Sequence, residues 1–263
     1  MKKILIVEGN LEEENNTFTK AGIQTHTQSL KESLDYLSKE IMLDIVNPSS
    51  DKNIDSFNDK LHIYDGLIWG GSSLNIYNDT PEIKRQIEFM KNCQKKVKNI
   101  LGICWGMQVA VTAAGGQVKK ANVSHVGIAK EIELNEEGLK HPLYKDKEKK
   151  FNSAAFNYDE VVKIPENGVC LASNKVNKVQ GLYFEVNKTR VWGLQYHPEI
   201  TYEKMISLIN YREKNLLSNN SIFKNREHLK NHINDIDNEN KISKPEIRMK
   251  EVENWLKFSS LII

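Results

Sequence analysis

Three residues in this chain are of the types that together cleave an amide bond: Cys104, His197 and Glu199. Cys104 sits in Gly102-Ile103-Cys104-Trp105-Gly106, one cysteine with a glycine two residues to either side. That is the spacing of a nucleophile elbow, with cysteine where a hydrolase has serine. An apolar run ending at Ile103 leads in and reads as a buried strand. A helical pattern from Met107 to Ala114, closed by Gly115-Gly116, leads out. A sharp strand-to-helix turn leaves no room for Cβ atoms beside the nucleophile, and glycine has none. The helix then aims its N-terminal amides and the positive end of its dipole at the sulfur, which favours thiolate. A buried structural thiol is the competing reading of any lone cysteine. The segment Val191-Trp192-Gly193-Leu194-Gln195-Tyr196-His197-Pro198-Glu199 argues against it, being a second apolar strand that ends in His-Pro-Glu. A thiol nucleophile needs a base, and the base needs an orienting group. His197 and Glu199, two apart on an extended segment, point the same way, and Pro198 stiffens the link between them.

Gly102 to Gln108, taken with Gln195-Tyr196-His197-Pro198-Glu199, resembles the class I, triad-type glutamine amidotransferases. The likeness is strongest to stand-alone members similar to the glutaminase domain of GMP synthase. It extends to Gly70-Gly71-Ser72-Ser73-Leu74-Asn75-Ile76-Tyr77, where the family has a glycine-containing oxyanion loop, and it spans Lys2 to Tyr211. The resemblance implies that the Cys104 thiolate attacks the side-chain carbonyl of glutamine and forms a γ-glutamyl thioester. His197 would protonate the departing ammonia and then activate water, with Glu199 fixing the imidazole. Backbone N–H groups of Gly71 and Trp105 would hold the oxyanion. Gln108, one helical turn after Cys104, would contact the bound glutamine. No cofactor and no metal are implied. The chain departs from the family at Trp105, often a small residue or arginine there, and at Asn157, where relatives of GMP synthase have the histidine of a His-Gly-Asp run.

The elements that must position these residues follow from periodicity. Lys3 to Val7 is apolar on both faces, as in a covered parallel sheet. Glu8 to Ile23 is polar and reads as a long loop, either simply solvated or a lid or partner-facing segment near the active site. Leu30, Leu34, Leu37 and Ile41 fall at helical spacing, so a helix is expected over Thr27 to Glu40, with a strand at Met42 to Val46 after it. Tyr64 to Trp69 reads as a third strand. Thr80-Pro81-Glu82 opens a helix with a capping threonine and proline in the first turn, its buried stripe running to Gln94. This alternation predicts an α/β fold with a mainly parallel central sheet flanked by helices, the flavodoxin-like fold that the resemblance also implies. Catalysis is expected at the carboxyl ends of its strands.

After Gly116 a small antiparallel section is expected, with strands at Gln117 to Lys119, Ile128 to Leu134, Phe151 to Ile164, Cys170 to Ser173, Gln180 to Glu185 and Arg190 to Leu194. Asn135 to Gly138 reads as a polar turn and Val186 to Thr189 as a hairpin loop. C-terminal helices close the chain: Thr201 to Asn215, a polar segment from Leu216 to Pro245, a packed helix around Val252 and Trp255, and an apolar tail at Leu261 to Ile263. The expected organisation is an amidotransferase domain over 1–215 and a helical extension over 216–263 packed on it.

The 263 residues are 39% hydrophobic and 27% charged, an ordinary balance for a globular protein. A net charge of +2 with scattered lysines points away from nucleic acid. Three cysteines, an odd number, argue against a disulfide framework and for a reducing compartment. The four apolar residues Ile4 to Val7 are too few for a signal peptide, and no stretch reaches membrane-spanning length. The expected place is the cytoplasm. No P-loop, zinc spacing or G-x-G-x-x-G fingerprint is present. Glutamine is the expected substrate, with a separate synthase as the expected recipient of ammonia and an oxyanion loop gated by that partner. Two other readings stay open: a free-standing γ-glutamyl hydrolase acting on a conjugate, and a catalytically silent regulatory subunit.

Overall fold

The buried runs that periodicity marks as strands line up in one sheet, with helices on both of its faces. The computed structural model describes residues 2–51, 54–218 and 222–262. The first half alternates as β1 (Lys2–Val7), α1 (Glu12–Lys20), α2 (His26–Leu37), β2 (Ile41–Val46), α3 (Ile54–Lys60), β3 (Gly66–Trp69), α4 (Pro81–Lys96), β4 (Asn99–Ile103) and α5 (Trp105–Ala113). The second half runs β5 (Gln117–Leu134), α6 (Glu136–Lys140), β6 (Lys150–Lys163), β7 (Val169–Ser173), β8 (Gly181–Val186) and β9 (Thr189–Leu194). Five helices follow: α7 (Tyr202–Tyr211), α8 (Glu213–Leu216), α9 (Arg226–Ile242), α10 (Pro245–Arg248) and α11 (Lys250–Phe258).

The nine strands are ordered β2-β1-β3-β4-β9-β8-β7-β5-β6. From β2 to β9 the pairing is parallel, in the order of a flavodoxin-like sheet. From β9 to β6 it is antiparallel, so the antiparallel section continues the same sheet. β9 pairs parallel with β4 on one side and antiparallel with β8 on the other. It thereby sets the carboxyl end of the His-Pro-Glu strand beside that of the cysteine strand. The β8–β9 hairpin turns through Asn187 at φ 50° and Lys188 at φ 68°, the left-handed pair that matches strand twist.

Three expectations are corrected. Glu8 to Ile23 is not a long loop: α1 forms there, with three glutamates in its first turn and Phe18 as its one buried residue. Acidic side chains at a helix N-terminus favour the helix despite its polar surface, and one aromatic anchors it. Asn135 to Gly138 is not a plain turn, since Asn135 accepts from the Gly138 N–H and caps α6. The separate strands at Gln117 and Ile128 are one 18-residue strand, β5. Its irregular pattern comes from breaks in register with β6 and from Gly127 and Glu131 at positive φ.

The C-terminal helices share the core. Val252, Trp255 and Leu256 of α11 lie in the same buried cluster as Ile4, Ile6 and Leu101. Ile236 of α9 packs against Gly127, where a Cβ would meet its side chain. Residues 219–221 of the polar segment and Ile263 of the expected tail lie outside the described residues. Among the described residues no helix is long and apolar enough to cross a membrane.

Candidate active site

Cys104 stands alone between β4 and α5 with φ 52° and ψ −101°, a backbone state that a non-glycine residue holds only under constraint, at a cost of about 1–3 kcal/mol. The constraint is visible on both sides. Its N–H donates to the Leu194 carbonyl at 2.6 Å, tying the turn to the end of β9. A Cβ on Gly106 would collide with the Trp69 carbonyl oxygen, and one on Gly102 would meet the Met107 nitrogen at 2.7 Å. The flanking glycines are therefore a packing requirement of β4, α5 and β3.

His197 is buried two residues beyond Gln195 at the end of the β9 strand segment, and its N–H donates to the Ala154 carbonyl at 2.7 Å. Its Nδ1 meets Glu199 Oε1 at 2.8 Å. The same imidazole is close enough to Cys104 for the thiol to raise its pKa. Burial works against a charge on this ring, but the charges of Glu199 and Cys104 and the hydrogen bond to Glu199 outweigh it, and hold the imidazole well above its ordinary range. The structure thus brings Cys104, His197 and Glu199 together, with the imidazole hydrogen-bonded to Glu199 and sharing a cavity wall with Cys104.

The remaining sequence-predicted residues are also at this place. Gln108 lines the cleft with Cys104. Its amide donates to Gln195 Oε1 at 3.3 Å, and Gln195 Nε2 donates to the sulfur at 3.5 Å. Gly71 lies against the imidazoles: a Cβ there would meet His26 at 2.7 Å and His197 at 2.8 Å. Trp105 places its backbone at the N-terminus of α5 and turns its indole into the core, where Nε1 donates to Gln86 Oε1 at 2.6 Å. Gly9 leaves room for that indole, whose Cδ1 a Cβ would meet at 2.6 Å. The family departure at Trp105 is accommodated beneath the sheet, and the cleft is not lined by it.

Asn157, the other departure, bridges the Asp159 carbonyl and Asn177 Oδ1 at 3.0 and 3.1 Å. Asp159 itself receives Asn75 Nδ2 at 2.8 Å and the Tyr77 hydroxyl at 2.9 Å. Ser73 is held by Asn10 Oδ1 on its N–H and by the Arg212 guanidinium on its hydroxyl, at 3.0 and 2.7 Å. The loop from Gly70 to Tyr77 is thus pinned to β6 on one side and to Arg212, at the end of α7, on the other.

Several contributors lie far from the motifs. His26 opens α2 and stacks on His197, with centroids 5.4 Å apart and planes 20° apart. Its Nδ1 is buried without a partner. Burial, then the charges of Lys204, His197 and Arg212, push its pKa well below the ordinary value, so this ring stays neutral. Lys204 is lowered to about 8 by burial, which the facing carboxylates of Glu199, Glu8 and Glu32 only partly offset. Arg248 of α10 donates to the Pro198 carbonyl, and Ser33 of α2 donates to the Glu199 carbonyl at 3.1 Å. The available signal for His26 was its place directly after a capping threonine; for Arg248 there was none, because the contact crosses fifty residues. His26, His197 and Glu199 offer ligand atoms within 4.8 Å of one another. A cation there would have to displace the His197–Glu199 hydrogen bond.

This elbow and its buried imidazole–carboxylate pair fall inside residues 23–210, which match the family model of the class I glutamine amidotransferases. The chain belongs to that family. Over 203 residues the amidotransferase is 32% identical to a γ-glutamyl-L-1-hydroxyisopropylamide hydrolase of a Pseudomonas species, covering 76% of this chain and 68% of that one. It is 34% identical over 121 residues to one subunit of the glutamine-hydrolysing GMP synthase of Methanocaldococcus jannaschii, covering 44% and 61%. Against the GMP synthase of Wigglesworthia glossinidia brevipalpis, identity is 30% over 166 residues, and the match spans 60% of this chain but 30% of that protein. A solved glutamine amidotransferase from Thermotoga maritima shares the amidotransferase's fold, with a TM-score of 0.65 at 16% identity over 98% of this chain and 97% of that one.

Proposed function

We propose that this chain hydrolyses the side-chain amide of glutamine or of a γ-glutamyl amide, with Cys104 as nucleophile. The observation that carries the reading is the strained Cys104 turn beside a buried imidazole that is hydrogen-bonded to Glu199 and whose pKa is raised by Glu199 and Cys104 against its burial. The Cys104 thiolate forms the S–C bond as the carbonyl becomes an oxyanion, which the N–H groups of Gly71 and Trp105 receive, each worth about 3 kcal/mol. The C–N bond then breaks, and the leaving nitrogen takes its proton from His197 Nε2. Water attacks the γ-glutamyl thioester, its proton returns to His197, and the S–C bond breaks to free glutamate. Among the described residues, Asp159 and Arg212 are the one carboxylate and the one cation lining the cleft beside Cys104 and Gln108. Asp159 suits the α-ammonium of a glutamyl group.

Two observations favour a free-standing hydrolase over a protein gated by a partner. The loop bearing Gly71 is already held through Ser73, Asn75 and Tyr77. The γ-glutamyl amide hydrolase matches over more of the chain than the synthase subunit does. Delivery of ammonia to a separate synthase is the second reading, favoured by the match to a single subunit of a GMP synthase.

The test is a glutamine-mimicking diazoketone, with labelling mapped by mass spectrometry and glutamate release followed in parallel. Labelling of Cys104, and loss of both labelling and turnover in Cys104→Ala, are expected. Labelling at Cys93 or Cys170 would refute the assignment. A rise in turnover of about tenfold or more on adding a synthase would restore the gated reading.

A further inference from the structure

Cys104 faces two small cavities of unlike character. One, of about 40 Å³, is lined by Gln108, Asn157 and Asp159 beside Leu74 and Phe156, and is the more polar of the two. The other, of about 20 Å³, lies on the His197 side and is walled by Phe18, Phe156, Met205 and Leu208. A leaving nitrogen must lie within reach of the imidazole that protonates it. The glutamyl half therefore belongs in the polar cavity and the amine half on the His197 side. A groove of about 720 Å³ between α1 and the α7–α8 corner adjoins both cavities, meeting the His197 side at Phe18 and the other at Asn75 and Tyr158. Ser73 and Arg212 line all three spaces, and Phe18 lines the small apolar cavity and the groove.

Ammonia has no use for such a groove. Its walls include Glu14, Thr17 and Phe18 of α1, with Tyr211, Arg212 and Lys214 opposite. These six lie outside residues 23–210, which match the family model, whereas Ser73, Asn75 and Tyr158, which also line the groove, lie inside them.

Arg212 separates the groove from the apolar cavity. Its guanidinium donates to Ser73, stands 3.5 Å from Glu14, and lies over Phe156 and Phe18 at 5.0 and 5.9 Å from their ring centres. Those are contacts of a long side chain that rotation about its own bonds can exchange for others. Aromatic faces, a hydroxyl, and acids matched by bases make a lining suited to a neutral organic group with an apolar body and a polar end.

We infer that the groove between α1 and the α7–α8 corner is the leaving-amine subsite. It would take the amine half of a γ-glutamyl amide larger than glutamine, with Arg212 swinging aside to admit it. The inference rests on the proposed Cys104 hydrolysis and names its substrate class.

The test compares glutamine, γ-glutamylethanolamide and γ-glutamyl-p-nitroanilide as substrates of the full chain, by glutamate release. The wild type should favour at least one conjugate in kcat/KM. Thr17→Arg, which fills the groove from the exposed face of α1, and Tyr211→Ala, which removes a wall, should each lower the conjugate-to-glutamine ratio of kcat/KM by about tenfold. An equal fall for both substrates, or an unchanged ratio in both variants, would overturn the subsite. Glutamine turnover with no conjugate turnover would overturn it while leaving the Cys104 reading intact. Failure of every substrate, with no diazoketone labelling of Cys104, would sink the underlying reading and the subsite with it.

Discussion

Cys104 and His197 reach the same cleft by opposite routes. Cys104 is placed by its immediate neighbours: the strand before it, the helix after it, and two glycines that let Trp69 and Met107 come close. His197 is placed from a distance. Ala154 of β6 holds its N–H, His26 of α2 covers its face, and Ser33 and Arg248 fix the carbonyls of Glu199 and Pro198. A site element specified locally tolerates changes elsewhere but not beside it. One specified by long-range contacts spreads its dependence thinly over many residues.

The largest effects should therefore come from the elbow. Cys104→Ala should abolish glutamate release, a loss of about 10⁴-fold or more if nucleophile removal behaves as in other triads. Gly106→Ala drives a methyl into the Trp69 carbonyl, overpacking that costs about 1–3 kcal/mol. It should lower Tm and cut turnover together. A Gly106→Ala protein of unchanged Tm and full activity would show that the elbow is not locally fixed.

Next comes the carboxylate behind the imidazole. Glu199→Gln keeps the shape and removes the charge, and should cost at least about tenfold less than loss of the thiol. Its signature is in pH. Glu199 helps hold His197 above its ordinary range, so the imidazolium persists through neutral pH and is lost only as pH climbs through the raised value. Without the Glu199 charge that value falls, and the alkaline limb of the kcat/KM profile should move to lower pH. An unmoved limb would mean that Glu199 orients the ring without setting its charge.

How far the sequence carried follows the same division. The Gly-x-Cys-x-Gly frame, His197-Pro198-Glu199 and the alternation of strand and helix up to α5 are legible because each depends on residues near in sequence. The Thr80 cap is legible for the same reason. α1 was not, because its single buried side chain, Phe18, leaves no apolar stripe to read. Nor was β5 as one strand, because its pairing with β6 shifts register on the way. Arg212 and Arg248 carry no pattern at all, and His26 only its place after a capping threonine, since what makes each relevant is a partner fifty or more residues away.

Arg248 sharpens the comparison at smaller scale. Its guanidinium donates to the Pro198 carbonyl from α10. Arg248→Ala removes a charge-assisted bond worth about 2 kcal/mol. The expected outcome is a fall in Tm with a modest loss of kcat and intact diazoketone labelling of Cys104. Loss of labelling would mean that the C-terminal helices set the nucleophile as well, and the division between the two routes would fail.

The smallest effect is expected at His26, and it separates packing from proton transfer. The ring stacks on His197 at 5.4 Å and is kept neutral by burial and by the positive charges of Lys204, His197 and Arg212. A ring that does not take up a proton near neutral pH contributes by covering its neighbour. His26→Phe preserves an aromatic face of similar size and frees the buried Nδ1 position of its unmet polar demand. Turnover should stay within about threefold, since a volume-conserving swap costs little, and the pH profile should keep its limbs. His26→Ala opens a space beside His197 and Gly71 and should cost more, rising toward the wild-type value in the phenylalanine variant. If His26→Phe instead fell as far as His197→Ala, the second imidazole would be carrying protons, and placement of His197 would rest on a pair of rings.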